Sequence, residues 1–269
     1  MDEGLQLFTM GIWVIALAFM TSTIGVFVGV TSARKVRTAS TDGLRLWWLV
    51  VATLVSGGVG VWLAQFLPMA GFAVVGSAVR YDVASIAFSM TVALVSVFIA
   101  LLIAMPSYGG GSTGRTVAGA LVLGAGLAGV HFTILWSVRI SGTIGYSAPL
   151  VLATIALAMV TAVGFMWQVL GADTWPKRLV MSAVAGAAVV GVYFVGVASV
   201  RVELDASVPP SGFEVFSILF PLFVVGLLLL AVPIVAVLLA PDRIAAQLES
   251  ESERWASDHV DESDVDFVS

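Results

Sequence analysis

Apolar residues run along this chain in seven long segments, and short polar stretches separate them. An α-helix needs about 20 apolar residues to cross the hydrocarbon core of a bilayer, and each segment reaches that length without a charged residue well inside it. We therefore predict an all-α membrane bundle of seven transmembrane helices. Their bounds are Leu7–Val30, Leu46–Leu67, Val83–Met105, Val117–Val138, Pro149–Leu170, Leu179–Val200 and Phe216–Ala240.

Three of these segments share a motif that centres on Gln65, His131 and Tyr193, which lie 66 and then 62 residues apart. A glycine stands seven residues before each central residue and a phenylalanine directly after it. This spacing predicts three two-helix repeats that follow the first helix. The glycines are Gly58, Gly124 and Gly186, and the phenylalanines are Phe66, Phe132 and Phe194.

The motif predicts a meeting point inside the bundle. Seven residues make almost two helical turns, so each glycine shares a face with its central residue. Small residues on that face let helices approach closely in lipid, where apolar burial does not drive helix association. We therefore expect Gln65, His131 and Tyr193 to meet at a similar depth in the packed interior.

The charged residues set the orientation and exclude several classes of protein. A hydrophobic fraction of 59 % with 11 % charged residues excludes an ordinary soluble domain. No basic patch suggests nucleic acid, and the absence of cysteine excludes disulfides and thiolate sites. Nine Lys and Arg residues flank one side of the predicted spans and three flank the other, which predicts an outer N-terminus and a cytoplasmic C-terminus. The nine are Arg34, Lys35, Arg37, Arg45, Arg115, Lys177, Arg178, Arg243 and Arg254, and the three are Arg80, Arg139 and Arg201.

This orientation places all three motifs in the outer half of the membrane. We interpret residues 1–240 as one membrane domain and residues 241–269 as an acidic cytoplasmic tail, which starts as a short helix and then becomes disordered. The lipid bilayer is thus the first partner of the chain.

His131 is the main candidate for chemistry, because an ionisable residue within a membrane helix is a functional hypothesis by default. The alternative is a neutral histidine that hydrogen-bonds to Tyr193, Gln65 or a backbone carbonyl. Gln65 favours interhelical hydrogen bonding, and Tyr193 is in reach to fix the tautomer of His131. Short hydroxyls such as Ser22 usually bond back to their own helix. No span carries paired carboxylates or a catalytic triad, so we predict no enzyme.

The motifs also resemble a known family. Gly60-Val61-Trp62-Leu63-Ala64-Gln65-Phe66-Leu67-Pro68-Met69, Val130-His131-Phe132-Thr133-Ile134-Leu135 and Val192-Tyr193-Phe194-Val195-Gly196-Val197 are similar to the repeats of the MHYT domain, a bacterial integral membrane module. The resemblance implies three two-helix repeats in the bacterial inner membrane. It also implies copper binding and the sensing of a small diatomic gas. In this chain His131, Met69, Gln65 and Tyr193 stand where that site is expected.

Two functions remain open at this point. The first is a sensor that binds copper or a diatomic ligand through His131 and signals to a separate cytoplasmic or membrane partner protein through the tail, where Ile244, Leu248 and Trp255 form an apolar stripe. The second is a non-catalytic membrane anchor or assembly protein that has lost its metal site. Transport of a small neutral solute is a lower-ranked third.

Overall fold

The structure is a computed structural model that describes residues 4–105, 112–171, 174–207 and 209–238. The chain forms two compact units, Met1–Leu230 and Ala231–Ser269. The first unit contains all the motifs. Of the second unit, only the end of the last helix belongs to the described residues. The acidic tail and the predicted domain boundary at residue 240 lie outside them.

Seven helices form the membrane part of the described chain, and six of them are long and apolar enough to cross a membrane. The seventh helix begins within one residue of its predicted start. Whether it also crosses the membrane stays a prediction. The helices are α1 Trp13–Thr38, α2 Asp42–Gly71, α3 Val83–Ala104, α4 Thr113–Trp136, α5 Ala148–Gly171, α6 Trp175–Ala198 and α7 Val215–Leu238.

The predicted bounds are wrong for α1, which begins six residues after Leu7 and continues eight residues past Val30. Its start is delayed because Leu5 and Gln6 form a strand rather than a helical turn. Its end is extended because Lys35 and Arg37 lie in the last turn, where cations interact favourably with the helix dipole and long side chains reach water. Helix α2 also begins before its predicted start, because the Thr41 hydroxyl caps it by accepting a hydrogen bond from the Leu44 backbone N–H.

Each helix packs against the next in chain order from α1 to α6, and α6 packs back against α1. The result is a closed ring of six helices. Helix α7 lies against α2, where Leu229 comes close to Gly58 and Leu63 to Gly226. Large side chains on α7 such as Phe220 and Leu228 are exposed on the surface of the described chain, as expected of a lipid-facing helix.

Glycines bring α1 and α2 into backbone contact. A Cβ atom on Gly25 would lie 2.4 Å from the backbone nitrogen of Gly60. Beside this contact, the buried Ser22 hydroxyl donates a 2.7 Å hydrogen bond to the Gly60 carbonyl oxygen. The expectation that this hydroxyl bonds to its own helix is therefore wrong, because the close approach puts a carbonyl of α2 within its reach.

Helix α2 contains a feature that the hydrophobic pattern does not predict. Its central ten residues, Leu54–Leu63, form a π-helix, and nearly all of them are buried. Such turns are rare and are frequent at functional sites. This segment includes Gly57, Gly58 and Gly60, and it ends two residues before Gln65.

Short β-ribbons cover the end of the bundle at which α2, α4 and α6 terminate, which we call the motif end. The strands are β1 Leu5–Gln6, β2 Ala73–Val74, β3 Arg80–Tyr81, β4 Val138–Arg139, β5 Gly142–Tyr146 and β6 Val200–Leu204. The pairs β1–β2, β3–β4 and β5–β6 are all antiparallel. The sequence predicts irregular loops here, so these strands correct the all-helical prediction outside the membrane.

The ribbons join the three repeats in a cycle. Strands β3 and β4 connect the loops that follow the first and second motifs, and β5 and β6 connect those that follow the second and third. A bridge between Tyr81 and Phe213 connects the third loop with the first. The three sequence repeats are thus tied together at the motif end.

The charge count assigned nine Lys and Arg residues to the cytoplasmic side. Those that the structure describes lie at the end of the bundle opposite the motif end. We call this the basic end. Lys35 and Arg37 belong to the last turn of α1, and Arg115 and Lys177 belong to the first turns of α4 and α6. These cations lie at one end of the bundle, as the charge count predicts. The orientation of that end in the membrane stays a prediction.

The contact between α1 and α2 gives a prediction for stability. We expect Gly25→Ala to lower the thermal unfolding midpoint in detergent, because overpacking against a backbone that cannot move aside typically costs about 1–3 kcal/mol. Gly164→Ala is the matched control, since a Cβ atom at Gly164 has no neighbour within 4 Å. Equal midpoints for the two variants would contradict the close packing of α1 on α2.

Candidate buried histidine site

The three central motif residues are completely buried near the motif end. Gln65, His131 and Tyr193 are each 0 % exposed. His131 lies five residues before the end of α4, and Tyr193 lies five residues before the end of α6. Gln65 lies in the last α-helical turn of α2, Ala64–Phe66, which packs against α6. All three are therefore at a similar depth.

Tyr193 joins the first motif to the second. Its ring meets the ring of His131 edge to face, with 6.2 Å between the ring centroids. Its hydroxyl donates a 3.2 Å hydrogen bond to the Pro68 carbonyl oxygen near the end of α2. Tyr193 thus contacts His131 through its ring and uses its hydroxyl elsewhere, so it does not set the tautomer of His131 by a hydrogen bond.

Among the residues that the structure describes, the polar atoms of His131 and Gln65 have no hydrogen-bond partner. Both ring nitrogens of His131 are buried and unpaired, as are the amide nitrogen and oxygen of Gln65. Leaving a buried polar group unpaired costs about 1–3 kcal/mol. Within the described chain, His131 is not hydrogen-bonded to Tyr193, Gln65 or a backbone carbonyl, and Gln65 is not hydrogen-bonded across helices. These buried polar atoms therefore remain without a hydrogen-bond partner in the described chain.

Gly196 of α6 lies directly against the histidine ring. A Cβ atom on Gly196 would come within 1.8 Å of Nε2 of His131 and within 2.3 Å of Cδ2. Only a glycine leaves room for the imidazole at this crossing. The sequence signal was present, because Gly196 stands three residues after the central Tyr193, but spacing alone does not show that it faces the histidine of another repeat.

Met69 is fully buried four residues after Gln65. Among the hydrogen bonds and ring contacts of the described residues, none joins Met69 or Gln65 to His131. The structure therefore brings Tyr193 and Gly196 to His131 by direct contact, whereas Gln65 and Met69 lie near the end of α2.

Tyr81 closes the site from the ribbon layer, and sequence reasoning assigned it no role. It is 1 % exposed, and its hydroxyl donates a 3.2 Å hydrogen bond to the Met69 carbonyl oxygen. Its ring meets Phe66 edge to face. Burial raises the pKa of the Tyr81 phenol above its ordinary value, and the neighbouring Tyr193 adds to this shift. The hydroxyl therefore remains a donor at physiological pH.

A second tyrosine covers the His131 helix in the same way. Tyr146 of β5 meets Phe132 edge to face at 6.1 Å between centroids, and Phe132 follows His131 directly. Partial burial raises the pKa of the Tyr146 phenol as well. Tyr81 and Tyr146 stand sixteen and fifteen residues after Gln65 and His131, so the regular spacing was the signal for this covering layer.

Residues 58–119 match the family model MHYT, described as a bacterial signalling protein N terminal repeat. This segment is similar to an MHYT repeat. The matched segment starts at Gly58 in the first motif, includes α3 and ends within α4, so it corresponds to one two-helix repeat of the structure. No curated protein and no solved structure matches the chain.

The match confirms, over residues 58–119, the resemblance seen in the motifs. The matched residues contain Gln65, Met69 and Tyr81 of the site. His131 and Tyr193 lie outside the matched residues. They are connected with the matched segment through the hydrogen bond from Tyr193 to Pro68 and the ring contact between Tyr193 and His131. Among the residues that the structure describes, no group of three or more His, Cys, Asp or Glu is placed to hold a metal ion.

The contact of Gly196 with His131 gives a second prediction. We expect Gly196→Ala to displace the imidazole and to lower the thermal midpoint, because the added methyl group would overlap Nε2. The measurement is the midpoint in detergent together with the imidazole signals of ¹⁵N-histidine-labelled protein.

Gly191→Ala on the same helix is the control, since its Cβ would meet Leu157 at an ordinary 3.5 Å. An unchanged imidazole signal in Gly196→Ala would show that Gly196 does not position His131.

Proposed function

We propose that this protein is a sensor of the bacterial cytoplasmic membrane and that His131 anchors its ligand site near the outer face. The observation that supports this proposal is the buried imidazole of His131, whose Nδ1 has no hydrogen-bond partner among the described residues and whose Nε2 lies against Gly196. Neutral imidazole is a common ligand of metal ions, and its unpaired nitrogens keep their capacity to bind. A ligand that bonds to His131 would supply the partner that the protein itself does not.

Copper is the first ligand to test, because the family resemblance implies it and the side chains present are compatible with it. Imidazole and thioether groups are both accepted by copper(I). His131 would be the strongest ligand, Met69 would offer its sulfur, and Gln65 would offer its unpaired amide oxygen. The Tyr193 hydroxyl is occupied by the Pro68 carbonyl, so Tyr193 would position the imidazole by ring contact. Copper held by these residues would supply the capacity to bind a small diatomic gas.

The contacts around His131 offer a route for a signal. Tyr193 touches the imidazole on α4 and holds the end of α2 through Pro68, so a displacement of the imidazole would alter the packing of all three motif helices. The same Tyr193 belongs to α6, which continues to the basic end. The proposal contains no catalytic step. Its output would pass to a separate partner protein through the tail after residue 240.

The test is metal analysis of the full-length protein purified in detergent after growth with added copper. We expect about one copper per chain in the wild-type protein and a loss to background in His131→Ala, since one imidazole carries the strongest bond. His259→Ala is the matched control because His131 and His259 are the only histidines of the chain. Gel filtration and helical circular dichroism check that each variant is folded.

Copper that persists in folded His131→Ala would exclude His131 as the anchor. Background copper in all three proteins would contradict the copper site and would favour the second hypothesis, a membrane anchor or assembly protein. That hypothesis then predicts a stoichiometric partner that co-purifies with the full chain and is lost when residues 242–269 are deleted.

A further inference from the structure

A small cavity lies at the centre of the ring of six helices. Its volume is about 20 Å³, and each helix from α1 to α6 contributes to its lining. All the residues that line it are buried, so the cavity belongs to the packed interior of the bundle. One lining residue from each helix, in chain order, is Val26, Val61, Val97, Leu127, Ala162 and Val189.

The cavity lies directly beneath the histidine site. Val61, Leu127 and Val189 line it, and each of them stands four residues before the central residue of its motif. Four residues make about one helical turn. The three motif helices therefore surround the cavity with the side chains that lie one turn from their central residues, on the side of the basic end.

The lining offers a guest almost no polar group. Nine of its eleven side chains are Ala, Val, Leu or Phe, and the other two are Ser56 and Thr161. The Thr161 hydroxyl already donates a 2.8 Å hydrogen bond to the Leu157 carbonyl oxygen. The Ser56 hydroxyl has no partner among the described residues, but it lies against α1, where a Cβ atom on Gly29 would come within 1.8 Å of it. A buried water molecule usually makes about three hydrogen bonds, which these two hydroxyls cannot supply.

We propose that this cavity binds one uncharged apolar molecule of about the size of dioxygen. A cavity of about 10–15 Å³ is enough to hold a water molecule, so this one admits a molecule of roughly one or two heavy atoms. An empty apolar cavity forfeits dispersion contacts around its whole lining, and a small apolar guest restores them. Guests of this kind dissolve in the bilayer core, which surrounds the helices that form the cavity.

Binding in the cavity needs neither a metal nor the imidazole of His131. If the function proposed above is correct, the cavity would hold a small apolar ligand one helical turn from His131, and this use alone rests on the proposed function. Absence of copper in the metal analysis would leave binding in the cavity unchanged. Absence of binding in the cavity would equally leave His131 as the metal anchor.

The experiment adds xenon under pressure to the full-length protein in detergent, with ¹³C-labelled valine and leucine methyl groups. Xenon is an apolar probe that enters dry protein cavities. We expect the methyl signals of lining residues such as Val97 and Leu127 to shift and to saturate as the xenon pressure rises. Methyl groups on the exposed face of α5, such as those of Leu152 and Val160, should shift only in proportion to the pressure.

Three variants test the site. Ala162→Val fills the cavity from α5 and should abolish the saturable shifts, because its added methyl groups occupy the space of the guest. Ala156→Val is the matched control, since Ala156 is exposed on the same helix and does not line the cavity. Thr161→Val keeps the shape of the side chain and removes its hydroxyl, and it should retain the saturable shifts because an apolar guest needs no hydrogen bond.

The proposal is overturned if the lining methyl signals of the wild-type protein show no saturable shift, and this result decides even where Ala162→Val does not fold. It is overturned as well if Thr161→Val loses the shifts, or if nuclear Overhauser effects show a water molecule in the cavity. Saturable shifts that persist in folded Ala162→Val, or that disappear in Ala156→Val, would place the xenon elsewhere and contradict the site. Their loss in folded Ala162→Val alone supports it.

Discussion

Helices α1 and α2 approach until the backbone of Gly25 lies against that of Gly60, and the Ser22 hydroxyl then reaches the Gly60 carbonyl. In lipid, helices gain nothing from hiding apolar surface from one another, so close packing and interhelical hydrogen bonds must hold them together. The remainder of the ring depends on the same constraint. Gly126 faces Ser96 across α4 and α3, and Gly186 faces Thr23 across α6 and α1. Small residues at these crossings let six helices close on themselves.

The same close packing leaves His131 without a polar partner. Gly196 admits the imidazole against the α6 backbone, and a glycine at that point offers no side chain that could bond to it. Tyr193 reaches past the ring to Pro68, and the Gln65 amide also lacks a partner. A protein that needed only a stable core would gain by replacing these groups with apolar residues. Their burial without a hydrogen-bond partner in the described chain agrees with a site that is completed by a ligand.

The two ends of the bundle differ in their chemistry. The motif end carries the ribbons and the unpaired imidazole beneath them, whereas the basic end carries a pocket lined by Arg34 and Arg178. Helix α6 takes part in both, since it contains Tyr193 near one end and Arg178 in its first turn. Helix α6 therefore runs from the histidine site to the basic end.

The sequence by itself determined the membrane class, the helix number along the described chain, the three repeats and the burial of Gln65, His131 and Tyr193. These follow from local periodicity and from the length that a bilayer imposes, so residues close in the chain suffice to predict them. Only the tertiary structure decided that α1 closes the ring and that α2 contains a π-helix. It also decided that Tyr193 bonds to Pro68 rather than to His131, and that Gly196 lies on the imidazole. Each of these depends on how residues far apart in the chain approach one another, which the order of side chains along a single helix does not specify.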